Sequence, residues 1–336
     1  MGAVMVTGGT GVIGAWVTRQ LVEQGTKVVT YSRHLDPTLV KDILGRFDSM
    51  SGDVVDLPRL IQTIKQYKVD RIIHLSATLP EKAEANPLEG YRINAEGALN
   101  VLEAARLMDV KRVVCTSSKG VYDVTRGEYG HPTYKPMDED YPRIPNTVYG
   151  TTKVLMENMG LDFNRIYGLD FVALRFPSPY GIGRLARHGI VAITSRIIES
   201  AMLDKPLDIP QGAEQKDDFI YLRDVANGIV LACFVEKVEH RIFNIGSGKG
   251  ETLAHMIQIL SKILGRKVPI TIGPGVDYLK RTRTNRYSVF NIERARKELG
   301  FSPKYDLESG VRDYIETMRR LDIKPYIPPA TSGKGY

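Results

Sequence analysis

The sequence predicts an α/β protein, a doubly wound parallel sheet with a smaller C-terminal α/β domain. Three observations predict it. Short β-branched runs alternate with longer amphipathic periods over the first half of the chain. Two of those runs, VVTY within Lys27–Tyr31 and RIIHL at Arg71–Leu75, are apolar without alternation, as strands covered on both faces are. The first run also leads straight into a glycine-rich turn, Thr7–Gly14 (TGGTGVIG), that opens a helix.

Candidate strands lie at Ala3–Val6, Lys27–Tyr31, Arg71–Leu75, Arg112–Thr116 and Phe171–Arg175, with a weaker one at Phe47–Ser51. Between them Ile13, Trp16, Val17 and Leu21 follow the 3,4 spacing of an amphipathic helix. Leu57–Tyr67, Tyr91–Met108 and Tyr149–Tyr167 have the same period. After Arg175 the segment FPSPYGIG interrupts regular structure with proline and glycine. Helices then follow at Leu185–Leu203, Asp224–Val235, Leu253–Leu264, Asn291–Leu299 and Leu307–Leu321, with strands at Arg241–Ile245 and Val268–Ile272. The expected division is a nucleotide-binding domain at 1–175, rejoined by about 219–247, and a substrate domain at 176–218 and 248–323. The Pro/Gly-rich stretch 324–336 reads as a flexible tail.

With 336 residues, and domains of roughly 100–200 residues, the chain has room for two. Its 43% hydrophobic and 25% charged residues are those of a globular protein and exclude global disorder. A net charge of +7, from 46 Lys+Arg against 39 Asp+Glu, is only mildly basic and is not gathered on an aromatic-studded face. No nucleic-acid partner is therefore expected. The apolar run Ile229–Val235 is too short for a bilayer, and no secretory leader pattern is visible, so no membrane partner is expected. Val6 stands where a myristoylation motif wants Ser or Thr. Cys115 and Cys233 sit in apolar runs and read as buried thiols, which points to a reducing, cytoplasmic location. The six histidines show no ligand spacing, so no metal is expected; His74, at a strand end, reads as a packed core residue.

Gly8, Gly11 and Gly14 have the G-x-x-G-x-x-G spacing. Glycine there permits a tight turn, close approach to a pyrophosphate and close helix packing, while the helix N-terminus offers free N–H groups to the anion. The second strand ends in Tyr31-Ser32-Arg33, without the acidic residue that would read a ribose 2′-hydroxyl. Arginine pairs well with a 2′-phosphate, so the expected cofactor is NADP, with NAD as the alternative. Asp53 falls where the third strand ends, to hold the adenine or to cap the helix starting near Leu57.

Tyr149 and Lys153 are separated by about one helical turn and share a face. Strand Arg112–Thr116 runs into Ser117-Ser118, beside the crevice where such sheets bind ligands. A phenol with a reference pKa of about 10 is a poor base. The expectation is that the Lys153 ammonium lowers it, so that Tyr149 exchanges a proton with a carbinol or carbonyl while Ser118 holds the oxygen.

The segments TGGTGVIG, GDVVD, HLSA, NAEG, TSSKGVY, YGTTK, LRFPSPYG and FNIGSG occur in that order. With them the chain, from about Ala3 to Phe301, resembles the extended short-chain dehydrogenase/reductases, the NAD(P)-dependent epimerase/dehydratase group. The resemblance implies a Rossmann domain followed by a substrate domain. It implies Ser118, Tyr149 and Lys153 as catalytic residues, with Tyr149 and Lys153 also cofactor-binding and Lys153 on the nicotinamide ribose. Gly8, Gly11, Val12, Ile13 and Gly14 would cradle the diphosphate, Ser32 and Arg33 the adenosine ribose, and Asp53 and Val54 the adenine. Leu75, Ser76 and Ala77 would line the cofactor, Asn94 would support it, and Phe176 and Ser178 would lie near the nicotinamide. Thr78, Ser118, Lys119, Tyr180, Asp217 and Arg281 are the expected substrate contacts. Dimerisation through Tyr91–Met108 and Tyr149–Tyr167 is also implied.

The chain departs from the nucleotide-sugar pattern at Ser178, where relatives usually carry Asn, and at Asp217, where they often carry Arg. A carboxylate facing a diphosphate is repulsive by about 1–4 kcal/mol; Lys216 stands beside it as a compensating charge. Lys119-Gly120 replaces the two acids of the dehydratases, which disfavours dehydration. The basic stretch Lys280–Arg286 offers Arg281 to an anionic substrate group, or is a solvated loop. The expected function is hydride transfer at a secondary alcohol or ketone of a polar, anionic or sugar-like small molecule, with Tyr149 as acid/base. The alternatives are a nucleotide-sugar epimerase that retains its cofactor and a non-catalytic NADP-binding scaffold.

Overall fold

The computed structural model describes residues 2–122, 124–184, 192–278 and 287–327. Seven parallel strands form the central sheet. In chain order its first half comprises β1 (Ala3–Thr7), α1 (Val12–Glu23), β2 (Val28–Ser32), β3 (Asp48–Ser51), α2 (Leu57–Tyr67) and β4 (Val69–His74). Then come the short helices α3 (Pro80–Ala85) and α4 (Pro87–Tyr91), followed by α5 (Gly97–Leu107), β5 (Arg112–Thr116), α6 (Val148–Tyr167) and β6 (Phe171–Arg175). A last strand, Ile242–Asn244, returns from the C-terminal half to pair with β6. From one edge the order is β3, β2, β1, β4, β5, β6 and Ile242–Asn244. This is the Rossmann-type doubly wound sheet, and its strand order reverses between β1 and β4.

Alternation along β1 shows how the two layers form. Val4 and Val6 pack with α1 and helix Leu222–Phe234 on one face. Ala3 and Met5 pack with α2 and α5 on the other. Successive strand side chains point to opposite faces, so a strand buried on both has no polar positions left. The edge strand β3 (DSMS) has one covered face only and is largely exposed, which is why its sequence signal is weak.

Local chemistry sets several helix ends. Asp56 caps α2 by accepting from the Arg59 N–H at 3.0 Å. Thr147 caps α6 through the Gly150 N–H at 3.1 Å, and Gly168 closes that helix in the left-handed region at φ 71°. The predicted helix Tyr91–Met108 is not continuous: Arg92–Glu96 forms one π-helical turn before α5. Such turns reposition side chains, and here the turn carries Asn94 to a buried partner discussed below.

Beyond β6, Ser178–Tyr180 pairs in parallel with Phe219–Tyr221 in a separate two-stranded ladder. Helix Ile193–Met202 is the described part of the predicted helix Leu185–Leu203, whose residues 185–191 lie outside the described residues. At the start of the predicted tail the Tyr326 N–H donates to buried Glu199 at 2.7 Å; residues 328–336 lie outside the described residues. Both cysteines are buried free thiols, and burial pushes each up to about 12. Among the described residues no helix is long and apolar enough to cross a membrane.

Candidate active site

The C-terminal ends of β1, β2, β4 and β5 open into one cleft of about 640 Å³, within the size range of small-molecule sites. At one end Gly8, Gly11, Val12, Ile13 and Gly14 form its floor. A Cβ on Gly14 would stand 2.0 Å from the Gly8 carbonyl oxygen, so only glycine lets α1 start this close to the turn. No side chain caps α1, which leaves its first N–H groups facing the cleft for an anion. Ser32, Arg33, Asp53 and Val54 line the neighbouring wall. Asp53 does not cap α2, since Asp56 does; its side chain accepts instead from the Val55 N–H at 3.3 Å.

Leu75, Ser76, Ala77 and Thr78 continue the wall. Their path is fixed from below. The Thr7 hydroxyl accepts from the Leu75 and Ser76 N–H groups at 3.1 and 3.2 Å and bonds His74 Nδ1 at 2.8 Å. His74 is buried as expected, and burial with the nearby Lys153 charge drives it down to about 3. Sign follows from linkage. The unfolded chain takes up this proton near the ordinary value of about 6.5, the folded protein only near 3, so stability falls as pH drops through that window. At pH 5 the expected loss from this one site is about 2 kcal/mol relative to neutral pH. Urea unfolding at the two pH values checks it: His74→Asn should flatten the dependence, and equal slopes in both proteins would refute the assignment.

Asn94 does not reach the cleft. It is buried on the π turn, accepting from the Thr78 N–H at 2.7 Å and donating to the Thr78 carbonyl at 2.9 Å. Its amide also donates to the Thr152 hydroxyl at 3.3 Å, which itself donates to the Tyr149 carbonyl at 2.8 Å. Asn94 thus ties the wall to α6 and is a positioning residue rather than a cofactor contact.

At the far end Ser118, Lys119, Tyr149, Lys153, Phe176, Ser178 and Asp217 line the cleft together. Gly150 makes this approach feasible, because a Cβ there would stand 2.2 Å from the Gly120 carbonyl oxygen. The Tyr149 N–H also donates to Glu84 at 3.2 Å. The expectation for the phenol needs correction. Burial pushes Tyr149 up to about 12, and the groups pulling it down are the Ser118 hydrogen bond and the Arg184 charge. Lys153 lies 5.5 Å from the centre of the Tyr149 ring and donates to the Thr116 carbonyl at 2.8 Å. Burial lowers its own amine to about 8. The ammonium therefore lies over the ring and is hydrogen-bonded to a carbonyl.

A second correction concerns Asp217. Lys216 is directed to the Tyr134 ring, 6.0 Å from its centre. Lys119, from the β5 loop, supplies the compensation at 2.9 and 3.0 Å to the two carboxylate oxygens, and also donates to Ser178 at 2.7 Å. The Ser178 hydroxyl donates to Asp217 at 2.5 Å, and the Tyr278 hydroxyl donates to the same carboxylate at 3.3 Å. The carboxylate is thus neutralised within the site, and the predicted repulsion toward a diphosphate is blunted. Asp218 is structural, accepting from Ser247, Gly248 and Phe290 backbone N–H groups.

Tyr180 is not a substrate contact. It is buried against Tyr221, ring centres 5.2 Å apart, and does not line the cleft. Arg281 lies outside the described residues. The sequence reading missed Arg184 on the cleft wall. It also missed Glu157, one turn beyond Lys153, which binds Ser117 at 2.6 Å and Arg175 at 2.7 and 2.8 Å. A buried Glu inside an otherwise apolar helix face was the available signal. Among the described residues one cluster, Glu239, His240 and Glu298, has metal-ligand proximity. It lies outside the cleft, and Glu298 is already engaged by two backbone N–H groups and His240.

The sequence profile of the NAD dependent epimerase/dehydratase family matches residues 4–246. The chain belongs to this family. It is an enzyme family, and this chain presents a glycine-rich loop with Ser118, Tyr149 and Lys153 in one cleft. It is 28% identical over 325 residues to a UDP-glucose 4-epimerase of Halalkalibacterium halodurans, covering 90% of this chain and 91% of that one. Among solved structures it is similar to the UDP-glucose 4-epimerase of Thermotoga maritima with UDP-glucose, at TM-score 0.82 and 25% identity over 95% and 99% of the two chains. It is also similar to the UDP-glucose 4-epimerase of Brucella ovis in complex with NAD, at TM-score 0.80 and 26% identity over 94% and 98%.

Proposed function

We propose that this family member oxidises a secondary carbinol of a sugar-like substrate and returns the hydride, the cycle of a nucleotide-sugar epimerase. The convergence of Ser118, Tyr149 and Lys153 at the far end of a cleft that begins at the glycine loop carries the reading. The residues fit a nicotinamide dinucleotide: its diphosphate at the uncapped N-terminus of α1, its adenosine beside Arg33, Asp53 and Val54, and its nicotinamide end near Phe176. When bound, the cofactor supplies the hydride acceptor. Tyr149 takes the carbinol proton, Ser118 holds the substrate oxygen, and Lys153 orients the ribose and raises the local positive charge. Thr78, Lys119, Ser178 and Asp217 form the substrate wall.

Net dehydrogenase action is the second reading. It is favoured by the Lys119–Ser178–Asp217 group, which stands where nucleotide-sugar relatives are expected to carry Asn and Arg. Purification separates the two. An epimerase should leave the column with dinucleotide bound and interconvert UDP-glucose and UDP-galactose with none added. Turnover only with added free cofactor, accompanied by a net absorbance change at 340 nm (the ~340 nm band of the reduced nicotinamide), would reject the epimerase cycle.

The finer cofactor preference we assign to NADP, because Arg33 lines the adenosine end and the strand end offers no acid. Arg33→Ala should weaken NADP by about tenfold and NAD by less than about twofold; a wild type that prefers NAD overturns this. We also propose that the chain divides near residue 175 into cofactor and substrate parts, and that it forms a homodimer in a reducing, cytoplasmic setting. Leu99 and Leu107 of α5 and Leu155, Ile166 and Tyr167 of α6 are exposed apolar side chains on the helices concerned. Sedimentation should give twice the chain mass, and a monomer at micromolar concentration would reject the dimer.

A further inference from the structure

Three cations reach the catalytic end of the cleft, Lys119, Lys153 and Arg184. Two have partners. Lys119 is held by Asp217 at 2.9 Å and Ser178 at 2.7 Å, and Lys153 by the Thr116 carbonyl at 2.8 Å. Arg184 has none: its Nε is buried without a hydrogen-bond partner, and no ion pair of its guanidinium is found among the described residues. Its position is set by the preceding turn. Gly183 adopts φ 84°, in the left-handed region, and seats the turn against Leu39. The charge acts on the Tyr149 phenol, and the groups it meets in return are the phenols of Tyr149 and Tyr314, with no carboxylate among them. Burial accordingly lowers the guanidinium to about 10.

A guanidinium offers five donors in a planar fork that matches an anion of two oxygens. Half-buried on the cleft wall, with its Nε enclosed and no counter-charge beside it among the described residues, the group carries a desolvation cost that a bound anion would offset. We propose that Arg184 anchors an anionic group of the substrate, a carboxylate or a phosphate, beside the carbinol on which Tyr149 acts. Lys119 is excluded from that task because Asp217 already neutralises it. The substrate class is then a polyol or sugar derivative carrying its negative charge close to the reacting carbon. This deepens the redox reading of the cleft and rests on it for the identity of the reacting group.

The test keeps the two apart. Dinucleotide affinity is measured first, with NAD and NADP as probes; tight binding with loss of turnover in Tyr149→Phe belongs to the redox reading alone. Binding of malonate, inorganic phosphate and neutral malonamide is then measured by calorimetry on wild type and Arg184→Leu, each saturated with dinucleotide. The wild type should bind one of the two anions at least about tenfold more tightly than Arg184→Leu. Malonamide should not distinguish the proteins, and dinucleotide affinity should agree within about twofold. A preference for malonate assigns a carboxylate, and a preference for phosphate assigns a phosphoryl group. Equal anion affinity in the two proteins overturns the proposal. So does a loss confined to the dinucleotide, which would make Arg184 part of the cofactor site. Arg184→Lys, which keeps the charge without the fork, should recover part of the anion binding, so a folding defect in the leucine variant cannot imitate the expected result.

Discussion

Tyr149→Phe is expected to reduce turnover by about 10²–10⁴-fold, the range of a single positioned acid/base, while dinucleotide affinity stays within about twofold. Phenylalanine keeps the ring that Lys153 faces at 5.5 Å and deletes only the hydroxyl that Ser118 bonds. The two halves of the reaction should respond differently to pH in the wild type. Burial pushes the phenol up to about 12, so at neutral pH it is protonated and ready to donate to a carbonyl. Accepting a proton from a carbinol requires the scarce phenolate, whose fraction grows tenfold per pH unit below that value. The oxidative half-reaction should therefore accelerate with rising pH and the reductive one should be nearly flat until alkaline conditions. Single-turnover measurements of each half with the isolated protein check this. A Tyr149→Phe protein with undiminished turnover would remove the mechanism entirely.

The second large effect concerns stability. Glu157 is fully buried in α6 and holds Arg175 through two oxygens, at 2.7 and 2.8 Å, with Ser117 at 2.6 Å and Arg143 at 3.3 Å. Arg175, itself buried, keeps only the Tyr122 hydroxyl and the Glu139 carbonyl when that carboxylate is removed. Glu157→Ala is expected to destabilise the fold by about 3–5 kcal/mol, since an unpaired buried guanidinium remains. Urea unfolding gives the value directly from the midpoint at unchanged slope. Replacing both partners, as Glu157→Leu with Arg175→Met, should lose less than the single change, because no buried charge is then stranded. If the single change costs under about 1 kcal/mol, the value of a surface pair, the network is not a structural core.

How far the sequence reaches is clear from individual elements. The predicted bounds of Arg112–Thr116, Phe171–Arg175, Leu57–Tyr67 and Leu253–Leu264 coincide with the observed ones. Each is set by signals inside the segment: continuous apolar runs for the strands, and caps at Asp56 and Thr252 for the helices. The glycine loop and the Tyr149–Lys153 spacing were legible for the same reason, being local. The π turn at Arg92–Glu96 was not, because Asn94 breaks the helical period to reach Thr78 across the fold. Tyr180 was misplaced because its burial depends on Tyr221, which the pairing with Phe219–Tyr221 brings against it from a distant part of the chain.

The sequence by itself determined the layered α/β architecture, the family and the residue types gathered for a dinucleotide and a proton transfer. The architecture follows from periods and spacings within a few turns of chain, and the family from the resemblance that the ordered motifs carry. Only the tertiary structure decided the electrostatics. It joined Lys119 to Asp217 across 98 residues, left Arg184 without an acceptor among the described residues, and turned Lys153 to the face of Tyr149. Charges that meet through space depend on how loops from different strands converge at the sheet's C-terminal edge, and desolvation acts only once they are enclosed.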